Sequence, residues 1–284
     1  MRLGIAGGST KIFGKKTNLS RDEAEAIQLV EAGQFQRAIQ CFRSLVERNS
    51  DPGKKVDYLL AQANCWIQMG IVGEARHCLA TAEEIAETGS VARLQIDVVV
   101  ATMLVDEGKS EDALQELSRL LTKYKKQIHI DEFRELYENI QVQRAFILMH
   151  LSRNDEARPI LEEAQSFELL EEGARSSVHC HLGRCYVESA EYQSAKQQFL
   201  DAQRIGVPED WEAPFRYHFG YALYELGEFG AAKREFILGL QSRAEGPPLA
   251  LVYKMLAKVS RKLGEHNEAH LYEEEWKLSR HRVS

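Results

Sequence analysis

Five cysteines among 284 residues are an odd number and make no disulfide framework. Cys41, Cys65, Cys78, Cys180 and Cys185 all fall inside helical patterns, which fits a reducing compartment. No apolar run reaches the ~18 residues that a membrane-spanning helix needs. The N-terminal stretch MRLGIAGGSTKIFGKKTNLS has no continuous apolar segment and does not read as a signal peptide. A cytoplasmic location is the expectation from these absences. Positive charge is not in excess either: 36 Lys and Arg stand against 43 Asp and Glu, a net charge of −7. That disfavours nucleic acid, whose binding rests on cations neutralising phosphates, and disfavours anionic membranes.

Catalytic signatures are missing as well. There is no nucleophile elbow, no HExxH and no Gly-rich cofactor loop. Acidic pairs such as Glu83-Glu84, Glu162-Glu163 and Glu171-Glu172 read as solvated helix faces. Neither an enzyme nor a bound cofactor is expected. Gly8 to Thr17 superficially suggests a phosphate loop, but its glycines are one residue too far apart, Thr does not follow the first Lys, and no strand precedes it. Residues 1–18 show no helical period and read as a tail. A short partner-binding or swapping segment anchored by Ile12 and Phe13 is the alternative.

What the chain does have is a repeated pattern, clearest from Ala213 to Leu240. Phe215, Phe219, Ala222, Leu223 and Leu226 recur at helical spacing. Gly227-Glu228-Phe229 breaks the run, with Gly227 suited to the left-handed residue that ends a helix. A second stripe follows in Ala232, Phe236 and Leu240. Two stripes joined by so short a turn must face each other.

The pattern Gly-x-aromatic-x-x-Ala returns in strict or looser form along the chain. Its marker alanines are Ala38, Ala75, Ala113, Ala157, Ala195, Ala232 and Ala269, at intervals of 37, 38, 44, 38, 37 and 37 residues. Four residues after six of them stands a large apolar residue: Phe42, Leu79, Leu117, Leu161, Phe199 or Phe236. The seventh has Glu273. Twelve residues before each marker stands a small residue, Ala26, Ala63, Ala101, Ala145, Gly183, Gly220 or Ala257. Small residues let the two helices approach, and large ones fill the groove beside them. A fixed period of this length marks a helical solenoid.

From about Leu19 to Trp276 the chain resembles the tetratricopeptide repeat (TPR) family. The family's period is about 34 residues, so each unit here is slightly longer. Its repeat-ending proline is largely missing, with Pro52 the nearest match, and its bulky first-helix residue is not kept. The resemblance implies an all-α, right-handed superhelical solenoid of seven antiparallel helix hairpins. These are expected at about 19–55, 56–93, 94–137, 138–175, 176–212, 213–249 and 250–276, with a C-terminal tail at 277–284. The one wide interval, around 123–137, reads either as two lengthened helices or as a joint, with Asp131 capping a helix that starts after it.

The resemblance also implies that the first helices of successive hairpins line a concave surface that holds another protein or peptide. Mapped onto this sequence, the lining includes Leu60 and Asn64; Val98 and Thr102; Val142, Phe146, Met149 and His150; Cys180, Arg184 and Glu188; Tyr217, Tyr221, Tyr224 and Glu225; and Lys254, Lys258, Arg261 and Lys262. The three tyrosines share one helix face. Rings with polar tips suit binding, although they could equally pack against neighbouring hairpins. The four cations form a basic patch on an acidic protein, or a solvated face paired with Glu225. Together they suggest a partner segment with apolar or aromatic residues and acidic ones. The carboxylate clamp of chaperone-binding members is incomplete: Asn64 fits one slot, but Leu60 stands where a Lys is needed, and Val98 and Thr102 are not a basic pair. A non-catalytic scaffold or adaptor is therefore expected. A regulator that senses a peptide or small ligand in the groove is the alternative. A metal site is a further one, since His181 and Cys185 lie one turn apart and His150, His218 or Cys41 on a neighbouring helix could supply another ligand, but nothing in the sequence requires it.

Overall fold

The computed structural model of the chain describes residues 19–242 and 249–281. The proposed tail at 1–18, with the Gly8–Thr17 stretch, Ile12 and Phe13, lies outside the described residues. So do 243–248 and 282–284. Every regular element among the described residues is helical. The chain divides into two compact units, one ending at Leu151 and one beginning at Ser152.

The first unit contains α1 (Arg21–Glu31), α2 (Phe35–Arg48), α3 (Pro52–Gln68), α4 (Val72–Ile85), α5 (Val91–Asp106), α6 (Ser110–Tyr124) and α7 (Asp131–His150). The second contains α8 (Asn154–Ala164), α9 (Glu172–Glu188), α10 (Tyr192–Ile205), α11 (Glu212–Glu225), α12 (Phe229–Gln241), α13 (Leu249–Lys262) and α14 (His266–His281). Within the first unit α1/α2, α3/α4 and α5/α6 are hairpins. Within the second, α9/α10, α11/α12 and α13/α14 are.

The helices start and stop where local chemistry dictates. Ser20 caps α1 in a reciprocal box with Glu23, and Pro52 opens α3 behind the Asp51 cap. At the end of α11, Gly227 has φ 80° and the Glu228 amide donates to the Leu223 carbonyl. This wraps up the orphan carbonyls of the last turn. The same closure recurs from Glu191 to Tyr186, but there Ala190 takes the left-handed conformation at φ 58°.

The repeated residues are the core. Six marker alanines are 0% exposed and Ala269 is 2% exposed. The large residue four places on is buried in all six copies that have one, from Phe42 to Phe236. Fully burying such a side chain contributes about 2 kcal/mol. Gly183 and Gly220 fit against Phe199 and Phe236: a Cβ on Gly183 would meet the ring at 2.7 Å.

Differences from expectation cluster at the wide interval and the C-terminus. The extra residues form a single 3-10 turn, Lys125–Gln127, and lengthen α7 to 20 residues. Asp131 is the first residue of α7 rather than its cap, and it pairs with Arg134 at 3.3 Å. The division between units falls in the turn after α7, not at 123–137. Residues 277–281, expected as tail, continue α14.

Candidate functional site

The first helices of the hairpins lie beside one another within each unit: α3 beside α5 and α5 beside α7 in the first, α9 beside α11 and α11 beside α13 in the second. This neighbour relation decides which expected lining residues remain accessible. Leu60 is 2% exposed, and its apolar cluster includes Ile96 and Met103 of α5. Val142 and Met149 are each 3% exposed. These three, expected at the surface of the groove, belong to the core instead. The reason is packing: one flank of a first helix is covered by its neighbours. Cys180 and Val98 are buried likewise, Cys180 in a cluster that includes Phe215 and Phe219 of α11. Asn64, Thr102 and Phe146 are half-buried, and Thr102 spends its hydroxyl on the Val99 carbonyl.

The second unit keeps most of its expected lining within reach. Arg184 is half-buried and bonds Glu188 one turn on at 2.9 Å. Tyr217, Tyr221 and Tyr224 are each half-buried against the core of α9–α13. Tyr217 lies 6.0 Å from Phe236, Tyr221 lies 6.3 Å from Tyr192, and Tyr224 lies 5.6 Å from Phe229. Each tyrosine therefore packs against a neighbouring ring and keeps part of its surface exposed. Burial, with Glu225 adding to it, pushes the Tyr221 hydroxyl up to about 12. On α13, Lys254, Lys258, Arg261 and Lys262 are all exposed. Lys254 sits 5.8 Å above Trp276, Lys262 sits 6.0 Å above Phe229, and Arg261 pairs with Glu273. These exposed contacts are weak, near 1 kcal/mol or less each, and are readily exchanged for an anion.

Sequence reasoning missed three arrangements. One is a charge ladder between hairpins of the second unit: Arg158–Glu191 at 2.5 Å, Lys196–Glu228 at 2.6 Å and Lys233–Glu265 at 2.6 Å. Its signal was in the repeats, for each cation directly follows a marker alanine and each acid stands four residues before the next. Another joins α1 to α3, where the Tyr58 hydroxyl donates to the buried Glu23 carboxylate at 2.7 Å. The last is an aromatic cluster, in which the Trp211 ring lies against His181 at 4.6 Å and His218 at 6.4 Å. Nothing in the repeat pattern announced it.

His181 thus sits against Trp211. Among the described residues there is no group of three His, Cys, Asp or Glu side chains placed to share a metal ion. Burial pushes the Cys185 thiol up to about 11, which disfavours the thiolate a metal would take. All five cysteines carry thiols rather than disulfides. No described helix is long and apolar enough to cross a membrane.

Solved structures share this fold. The PilF protein of Pseudomonas aeruginosa aligns with a TM-score of 0.60 at 18% identity, over 78% of this chain and 90% of that one. The apo form of RapI aligns at 0.64 and 14% identity, over 91% and 75%. A signal transduction ATPase with numerous domains from Pyrococcus horikoshii, which has a tetratricopeptide repeat sensor, aligns at 0.64 and 17% identity. That match takes in 90% of this chain but 42% of the ATPase. No protein-family model and no curated protein matches the sequence. At such identities the likeness is one of fold.

Proposed function

We propose, from a chain that has the tetratricopeptide-repeat fold, that it is a non-catalytic, cytoplasmic scaffold or adaptor. In this reading the row of first helices α9, α11 and α13 holds a segment of another protein. The observation that carries it is the accessible surface left on those helices. Three half-buried tyrosine rings on α11 stand beside an exposed row of four cations on α13. Partly packed rings bind at low entropic cost because their rotamers are already restricted. A cation row favours acidic residues through charge complementarity, which acts most on encounter rate and specificity. The segment this surface fits combines aromatic or apolar residues with acidic ones. Arg184 of α9 is retained as a contributor.

A peptide array tests the reading. Purified protein is probed against short peptides that vary independently in aromatic and acidic content. Tyr221→Ala and Lys258→Glu variants are run beside it, with helicity checked by circular dichroism. Aromatic-acidic peptides should be retained by the native chain and lost by at least 10-fold in both variants. Equal retention by the folded variants would refute the assignment of this surface.

A further inference from the structure

The second unit contains two histidines in an environment that the proposed function does not use. His181 lies on α9 and His218 on α11, the first helices of adjacent hairpins. Trp211, in the 3-10 turn Glu209–Trp211 that leads into α11, has its ring against both, 4.6 Å from His181 and 6.4 Å from His218. The three aromatic groups thus form part of the junction that seats one hairpin on the next. Tyr217 adds a fourth ring, edge-on to His218 at 5.4 Å.

We propose that the His181–Trp211–His218 cluster is a proton-sensitive junction, which loosens the contact between α9 and α11 on mild acidification while the first unit keeps its structure. The charges around the two rings favour this behaviour. Arg184, one turn along α9 from His181, acts on both imidazoles, and each imidazole gains a like-charged neighbour if the other is protonated. Both residues are half-buried, and desolvation first, then these charges, push both imidazoles from the usual 6.5 down to about 3. Carboxylates are close in the chain, but they serve elsewhere. Glu212 is bonded to Arg216 at 2.7 Å, and Asp210 and Glu212 act on Cys180 rather than on the histidines. Arg216 is also held by Glu235 of α12 at 2.7 Å. From α10, Gln198 bonds His179 at 2.7 Å. The indole face offers an imidazolium about 1 kcal/mol. That is less than the cost of desolvating a charge beside Arg184.

The sign follows from linkage. A histidine with a depressed folded value binds its proton only when the junction opens. The closed form is therefore fully favoured above pH ~6.5, and it loses ground as pH falls below that value. Each imidazole lowers the closed-to-open ratio by at most about 10-fold per pH unit in that range.

The test is NMR on the intact chain. Histidine C2–H resonances, assigned with single-histidine variants, are followed from pH 8 to pH 4. Amide protection of α9 and α11 is measured at pH 7 and pH 5, with intrinsic exchange rates factored out. The expected result is that His181 and His218 stay neutral through pH 6. Protection in α9 and α11 should fall at least 10-fold by pH 5, with α1 to α4 unchanged. A His181→Gln/His218→Gln variant should lose most of that pH dependence. Titration of both imidazoles near 6.5 with undiminished protection would overturn the proposal. So would an unaltered pH dependence in the double variant. Should that variant not fold, the native titration and protection measurements decide alone. None of these readouts involves a partner, so they stand or fall independently of the scaffold reading.

Discussion

Replacing Gly220 by alanine sets two effects of opposite sign against each other, and the structure says which is larger. Alanine is favoured over glycine inside a helix by about 1 kcal/mol. The added Cβ, however, would lie 2.9 Å from Phe236 Cε1 and 3.1 Å from both Cδ1 and Cζ. Phe236 is 0% exposed and has Tyr217 at 6.0 Å, so the ring has little room to retreat. Overpacking of this kind costs about 1–3 kcal/mol. Gly220→Ala should therefore destabilise the α11/α12 hairpin by about 1 kcal/mol net. Phe236→Leu alone should also destabilise, because it leaves a void. The double variant should recover part of the loss, giving a coupling energy of about 1 kcal/mol. Gly230→Ala in α12 is the control: nothing lies within 4 Å of its added Cβ, so only the helix gain of up to about 1 kcal/mol should appear. A repeat array need not unfold in one step, so amide exchange in α11 and α12 is the suitable assay. If Gly220→Ala proves more stable than the native chain, or the double variant is strictly additive, the close-approach argument fails.

The remaining expectations concern the first hairpin and one turn. Burial raises the Glu23 carboxyl, but the Tyr58 hydroxyl, the Ser20 amide and hydroxyl, and Lys54 outweigh it and hold it at about 2. Because the folded value is depressed, the stability it contributes is complete above pH ~4.5 and is lost as pH falls towards 2, up to about 3 kcal/mol in all. Glu23→Gln should remove that acid-dependent share, read as a flatter profile of α1 amide protection between pH 5 and pH 2.5; an unchanged profile would count against it. Ala190 holds φ 58° where five hairpin turns use glycine, so Ala190→Gly should stabilise the α9/α10 turn by about 0.5–1 kcal/mol. Denaturant titration measures this, and a loss of stability would show that the turn is not strained.

Architecture was legible in the sequence because hairpin formation is a local matter. A small residue, a large residue and a turn residue at fixed offsets are enough to make two helices meet. Ala26, Ala38 and Phe42 therefore announced their buried roles, as did Gly220, Ala232 and Phe236. The candidate surface was less legible. Tyr217 and Lys254 kept an accessible side, but Leu60 and Val142, at the same offset before their marker alanines, did not. Accessibility there depends on how the next first helix lies against the one before, and no offset within a single hairpin encodes that. The same reason hid the Glu23–Tyr58 bond, whose partners stand 35 residues apart on different hairpins.

What the amino-acid order determined by itself was the helical repeat, its turns and its buried stripes, since each arises from contacts within one hairpin. What only the tertiary structure decided was which flank of each first helix is covered, where the chain divides, and that His181 and His218 share Trp211. Those outcomes depend on the seating of one hairpin against another, and burial is a property of the neighbour as much as of the residue.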